Sequence, residues 1–221
     1  MGIFNAIYLI IAAIVLIAFV SYLLWDHSKK TIDTRPEDIE RLAIQNGWEF
    51  STRSKGFSQF IAAHNLGYMG REAPILHVCS QKQGGHQAFI FDCFAATPIS
   101  GVAIQFKNQQ FLPLRVVERL IINRLSQLPA DTSIAPDRLP QFVRAKVLVN
   151  TPAEHHDQIC KLIDENSELQ RLFKQRDLGY FCMSHDTAVF YFLTRYPADE
   201  RGFTLARTRV ENIIGIFDNE A

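Results

Sequence analysis

Among the side chains suited to act as nucleophile, base or metal ligand, all four cysteines and four of the seven histidines fall into three local groups. Cys182, His185 and Asp186 lie close together, the arrangement of a cysteine nucleophile with its base. His185-Asp186, however, reads as a turn between two apolar runs, where Asp serves local hydrogen bonding. His77, Cys79, Asp92 and Cys93 fall on two runs expected to pair as strands, and they read as core thiols with an edge histidine. His156 and Cys160 stand at i and i+4 of one helical stretch, with His155 and Asp157 beside them. That is half of a metal site, and the sequence supplies no further ligand at a metal-binding spacing.

No cofactor fingerprint accompanies these groups. Gly84-Gly85 lacks the Lys-Ser/Thr of a phosphate loop and reads as a hairpin turn. Cys79, Cys93, Cys160 and Cys182 form no CxxC pair and read as reduced, buried thiols. With 23 basic and 23 acidic residues the chain is formally neutral. Nucleic acid is therefore not expected as a partner, since such binders carry a basic surplus. The sequence leans away from an enzyme and names no catalytic residue, cofactor or metal.

The elements that must carry these side chains read as an α+β fold. Thr34-Arg-Pro36-Glu37 predicts a capping box for a helix over about 35–46, which Asn46-Gly47 stops. An antiparallel β-rich part follows to about Lys107, with Phe57 to Asn65 as one strand and Gln83-Gly84-Gly85 as a hairpin turn. Leu114 to Leu128 has helical spacing. Residues 129–140 carry three prolines and read as a linker. Phe142 to Asn150 alternates as a strand. Thr151-Pro152-Ala153-Glu154 predicts a second capping box, for a helix burying Ile159, Leu162 and Ile163 with a break at Asn166. A hairpin over Leu178–Thr194 and a helix over 204–217 close the chain. The expected organisation is an anchor over 1–28, a β-rich α+β half over 34–128, and a small β-α-(α)-β-β-α sandwich over 141–218.

The anchor is the strongest signal. Ile3 to Trp25 holds about 23 residues with no charged side chain, and as a helix it reaches ~34 Å against a ~30 Å hydrocarbon core. It lacks the basic start and small-residue cleavage site of a signal peptide. Ile3 opens the span, and Tyr8, Tyr22 and Trp25 sit where rings rest at headgroup level. Lys29, Lys30 and Arg35 follow the span and no basic residue precedes it, which predicts an outside N-terminus and a cytoplasmic C-terminal domain. The lipid bilayer is thus the first expected partner.

An N-terminal span, a short helix ending in Gly47-Trp48-x-Phe50, a β-rich part and a closing strand–helix–hairpin resemble uncharacterised bacterial single-pass membrane proteins. The resemblance implies an inner (plasma) membrane location and transfers no functional residue. The expected function is that of a membrane-anchored protein whose cytoplasmic domain binds another protein or scaffolds an assembly. The alternatives are a membrane-associated enzyme using His185 or His77 with a nearby Cys, and a lipid- or envelope-sensing module with an exposed apolar or basic patch facing the bilayer near Lys29, Lys30 and Lys55.

Overall fold

The structure, a computed structural model, describes residues 15–22, 35–68, 73–94, 97–118 and 133–218. The chain divides into two compact units, Met1–Asp38 and Ile39–Ala221. In the first, residues 15–22 are helical and Val15, Leu16, Ile17, Phe19, Val20 and Tyr22 are exposed, by 45% to 66%. Among the described residues no helix is long and apolar enough to cross a membrane.

Helix α1 runs over 35–45 and ends where expected, at Gly47, whose φ of 75° suits a residue without Cβ. Thr34, the start of the expected capping box, lies outside the described residues. The second unit is an α+β fold around one eight-stranded antiparallel sheet. Its strands are β1 (Glu49–Ser51), β2 (Ile75–Gln83), β3 (His86–Phe94), β4 (Pro98–Gln105), β5 (Phe111–Glu118), β6 (Val147–Asn150), β7 (Leu178–His185) and β8 (Thr187–Phe192). Their order is β1-β2-β3-β4-β8-β7-β5-β6. The closing hairpin β7–β8 sits between β4 and β5, so strands from 34–128 and 141–218 interleave in one sheet.

Period-two alternation sends side chains to two cores. On the first face Ile90, Val102, Ile104, Phe181 and Phe190 meet Ile39, Leu42 and Ala43 of α1. The same face takes α4 (His156–Glu165), α5 (Ser167–Phe173) and α6 (Glu200–Asp218), through residues such as Ile159, Leu169, Ala206 and Val210. Trp48 packs edge to face on Phe203 of α6 at 6.1 Å, so the Gly-Trp-x-Phe motif is a core device. On the second face Phe89, Phe91, Cys93, Tyr180, Cys182 and Tyr191 meet α2 (Lys55–Ala63), where Phe57 stacks on Phe89 at 4.4 Å.

Three expected elements differ. Phe57 to Ala63 is helical rather than extended, and His64-Asn65 is a turn. Ser54 accepts a hydrogen bond from the Phe57 N–H at 3.2 Å, and Phe57 and Ile61 share the buried face. Leu114 to Glu118 is strand, not helix start, because Leu114 and Val116 fill the first core while Val117 fills the second. Residues 119–128 lie outside the described set. Phe142 to Lys146 belongs to α3 (Gln141–Lys146), which follows Pro140, and only Val147–Asn150 pairs, along β5. The second capping box does not form either. The Thr151 hydroxyl donates to the Pro113 carbonyl at 2.6 Å, and a 3₁₀ turn over Ala153–His155 leads into α4 without a side-chain cap. The break at Asn166 does occur, and its side chain caps α5 by accepting from the Leu169 N–H at 2.7 Å.

Candidate functional site

The first histidine group is brought together around a carboxylate. Asp92 on β3 is 3% exposed. Its register partner Ser100 donates to it at 2.9 Å, His77 Nδ1–H donates at 2.9 Å, and Arg195 donates through Nε at 3.1 Å and Nη2 at 2.8 Å. Ser100 also accepts from the Tyr196 N–H at 2.9 Å. His77 reaches this position because β2 is irregular between Leu76 and Cys79, which leaves His77 at φ 51°. The serine, histidine and aspartate do not form a hydrolase triad. In a triad the imidazole stands between hydroxyl and carboxylate, whereas here the carboxylate stands between the other two. Cys79 and Cys93 lie near the same charge. Burial first, and Asp92 second, push both thiols up to about 12, so neither supplies a thiolate near neutral pH.

Cys182, His185 and Asp186 are near in sequence but do not converge. The Cys182 thiol is buried, donates to the Leu66 carbonyl at 3.3 Å, and is pushed up to about 12 by burial. Asp186 turns the other way and accepts from Gln105 Nε2 at 3.0 Å and the Thr187 hydroxyl at 2.8 Å. His185, at φ 54°, sets its ring against His64 of the turn after α2, centroids 5.5 Å apart. His156 Nε2 donates to the Thr151 carbonyl at 3.2 Å, and burial raises the Cys160 thiol. Among the described residues no group of three or more His, Cys, Asp or Glu is placed to hold a metal.

The second face holds the concave surface. Tyr180 and Tyr191 pair across β7 and β8 at 5.7 Å, and Tyr68 packs on both at 5.8 Å and 5.3 Å. The Tyr191 hydroxyl donates to the Leu66 carbonyl at 2.9 Å, the same oxygen that Cys182 reaches. That carbonyl pins the turn after α2 to the sheet, beside two concavities. The larger, about 590 Å³, lies among Ile61, Tyr68, Pro74, Ile75, Cys93 and Tyr191 and is mainly apolar. The smaller, about 220 Å³, is lined by His64, Arg115, Ser184 and His185 above Cys182. Asn65, at φ 54°, borders both.

Of the expected anchor and topology residues, Ile3, Tyr8, Trp25, Lys29 and Lys30 lie outside the described residues. Tyr22 is helical and 58% exposed. Arg35 stands at the start of α1 and is buried. Sequence reasoning missed Arg115, which the expected helix over Leu114–Leu128 had hidden, and also missed His64 and Tyr68. Only the tertiary fold brings these three to the second face.

No protein-family profile and no curated protein matches the chain. Among solved structures, the fold is similar to that in the crystal structure of the mycobacterial trehalose monomycolate transport factor A, TtfA. The match has a TM-score of 0.52 at 10% identity and covers 83% of this chain and 94% of that one.

Proposed function

We propose that this chain is a membrane-anchored accessory protein that works by binding, as a scaffold or docking component in the movement of an envelope lipid. One observation carries the reading, the fold shared with TtfA over nearly all of that chain, whose description as a transport factor is here extended to this protein. Two features support it. The uncharged Ile3–Trp25 run has the length of a span, with Lys29, Lys30 and Arg35 on its C-terminal side, so the domain is held at the inner face of the plasma membrane. The thiols that the sequence offered as nucleophiles are buried and protonated, which favours binding over cysteine chemistry.

The test is made in the native host. Deleting the gene leaves envelope-lipid synthesis intact and slows arrival of at least one lipid at its outer layer. A variant in which an unrelated single span replaces residues 1–28 restores delivery, and a variant simply lacking them does not. Unchanged lipid distribution in the deletion strain contradicts the proposal, and so does full rescue by the unanchored chain.

A further inference from the structure

We propose that the smaller concavity of the second face binds a phosphate group. Its rim carries the Arg115 guanidinium, the His64 and His185 imidazoles and the Ser184 hydroxyl, and no Asp or Glu lines it. The nearest carboxylate in sequence, Asp186, is already engaged by Gln105 and Thr187. Arg115 reaches only the Asn65 carbonyl, at 3.3 Å, and pairs with no carboxylate among the described residues. A half-buried guanidinium without a counter-charge is a ready partner for an oxyanion. His64 gives its Nδ1–H to the Phe60 carbonyl at 2.9 Å, which leaves Nε2 as the ring nitrogen able to bond a phosphate group.

The donors come from three separate segments: β5, the turn after α2, and the end of β7. Donors arriving from several directions suit a tetrahedral group better than a planar carboxylate, which one guanidinium fork satisfies. Two of the three described non-glycine residues with positive φ, Asn65 and His185, border this concavity. Uncommon backbone states of that kind gather at ligand sites. The inference stands apart from the transport reading, because the site is equally suited to a phospholipid headgroup or to a soluble phosphate.

The experiment uses the full-length chain in phosphatidylcholine nanodiscs with isotope-labelled histidine. Inorganic phosphate is titrated against chloride at matched ionic strength, while the ring resonances of His64 and His185 are followed. Both shift together and saturate, and Arg115→Gln weakens the apparent affinity at least about fivefold. Amide spectra verify that this variant folds, and Ser184→Ala provides a second, milder loss. Nanodiscs containing phosphatidylglycerol separate the sources. A headgroup ligand shifts both rings before phosphate is added and blunts the titration, whereas a soluble ligand leaves the titration as in phosphatidylcholine. The proposal is overturned by linear or absent shifts, by chloride reproducing them, by acetate binding more tightly than phosphate, or by undiminished affinity in Arg115→Gln.

Discussion

At Asp92 a single buried carboxylate satisfies a serine, a histidine and an arginine drawn from β4, β2 and the segment after β8. Its charge is compensated, so removing it strands Arg195 and His77 rather than freeing a reactive group. Asp92→Ala is expected to destabilise the domain by about 3 kcal/mol in urea unfolding, far more than loss of a surface carboxylate. The cysteines predict a pH dependence. Cys79, Cys93 and Cys182 hold their protons to about 12 when folded, against an ordinary 9.0. Above about pH 9 the unfolded chain sheds these protons and the folded chain does not, so the folded state binds more protons and stability falls as pH rises. The slope is at most about 1.4 kcal/mol per pH unit for each thiol. Urea midpoints therefore drop between about pH 8 and about pH 10.5, and replacing the three cysteines by alanine flattens the drop.

Helix α6 gives a test at the scale of one element. The Gly202 N–H donates to the capping Asp199 Oδ1 at 2.7 Å, and a Cβ on Gly202 would lie 2.1 Å from the Pro197 carbonyl oxygen. That neighbour is backbone and cannot rotate aside. Gly202→Ala is expected to cost roughly 1–3 kcal/mol. Gly215→Ala, with nothing within 4 Å of the added carbon, is expected to gain up to about 1 kcal/mol from helix propensity. Thermal unfolding of the two variants checks the contrast. Legibility varied by element for physical reasons. The hairpin turn of β2–β3 was plain, because Gly84 and Gly85 both take positive φ, at 59° and 94°. The α6 stripe was plain because Ala206, Val210, Ile213 and Phe217 recur at helical spacing. Helix α2 was misread although Phe57, Phe60 and Ile61 stand at i, i+3 and i+4, because the run is short and its Ser54 cap went unrecognised. β5 was misread because Val116-Val117 is buried on both faces, which hides strand alternation. The irregularity that turns His77 toward Asp92 left no sequence signal at all.

Across the whole molecule, the sheet order decides what can fold alone. β4 and β5 do not pair with each other, because β7–β8 stands between them. A fragment ending at residue 128 therefore leaves β4 and β5 as open edges, and a fragment starting at residue 133 leaves the apolar hairpin β7–β8 without partners on both sides. Each fragment alone is expected to give a collapsed amide spectrum, and mixing the two restores native dispersion. A native spectrum from either one contradicts a shared sheet. The candidate site follows the same logic. Arg115, His64 and His185 are far apart along the chain, so only the completed sheet brings them to one rim.

Membrane residence is the central claim, and alkaline carbonate extraction of membranes from cells making the full-length chain tests it most directly. The full-length protein is expected to sediment with the membranes and stay there after carbonate, while a variant lacking residues 1–28 is recovered in the supernatant. A full-length chain that leaves the membranes and remains monodisperse without detergent contradicts it.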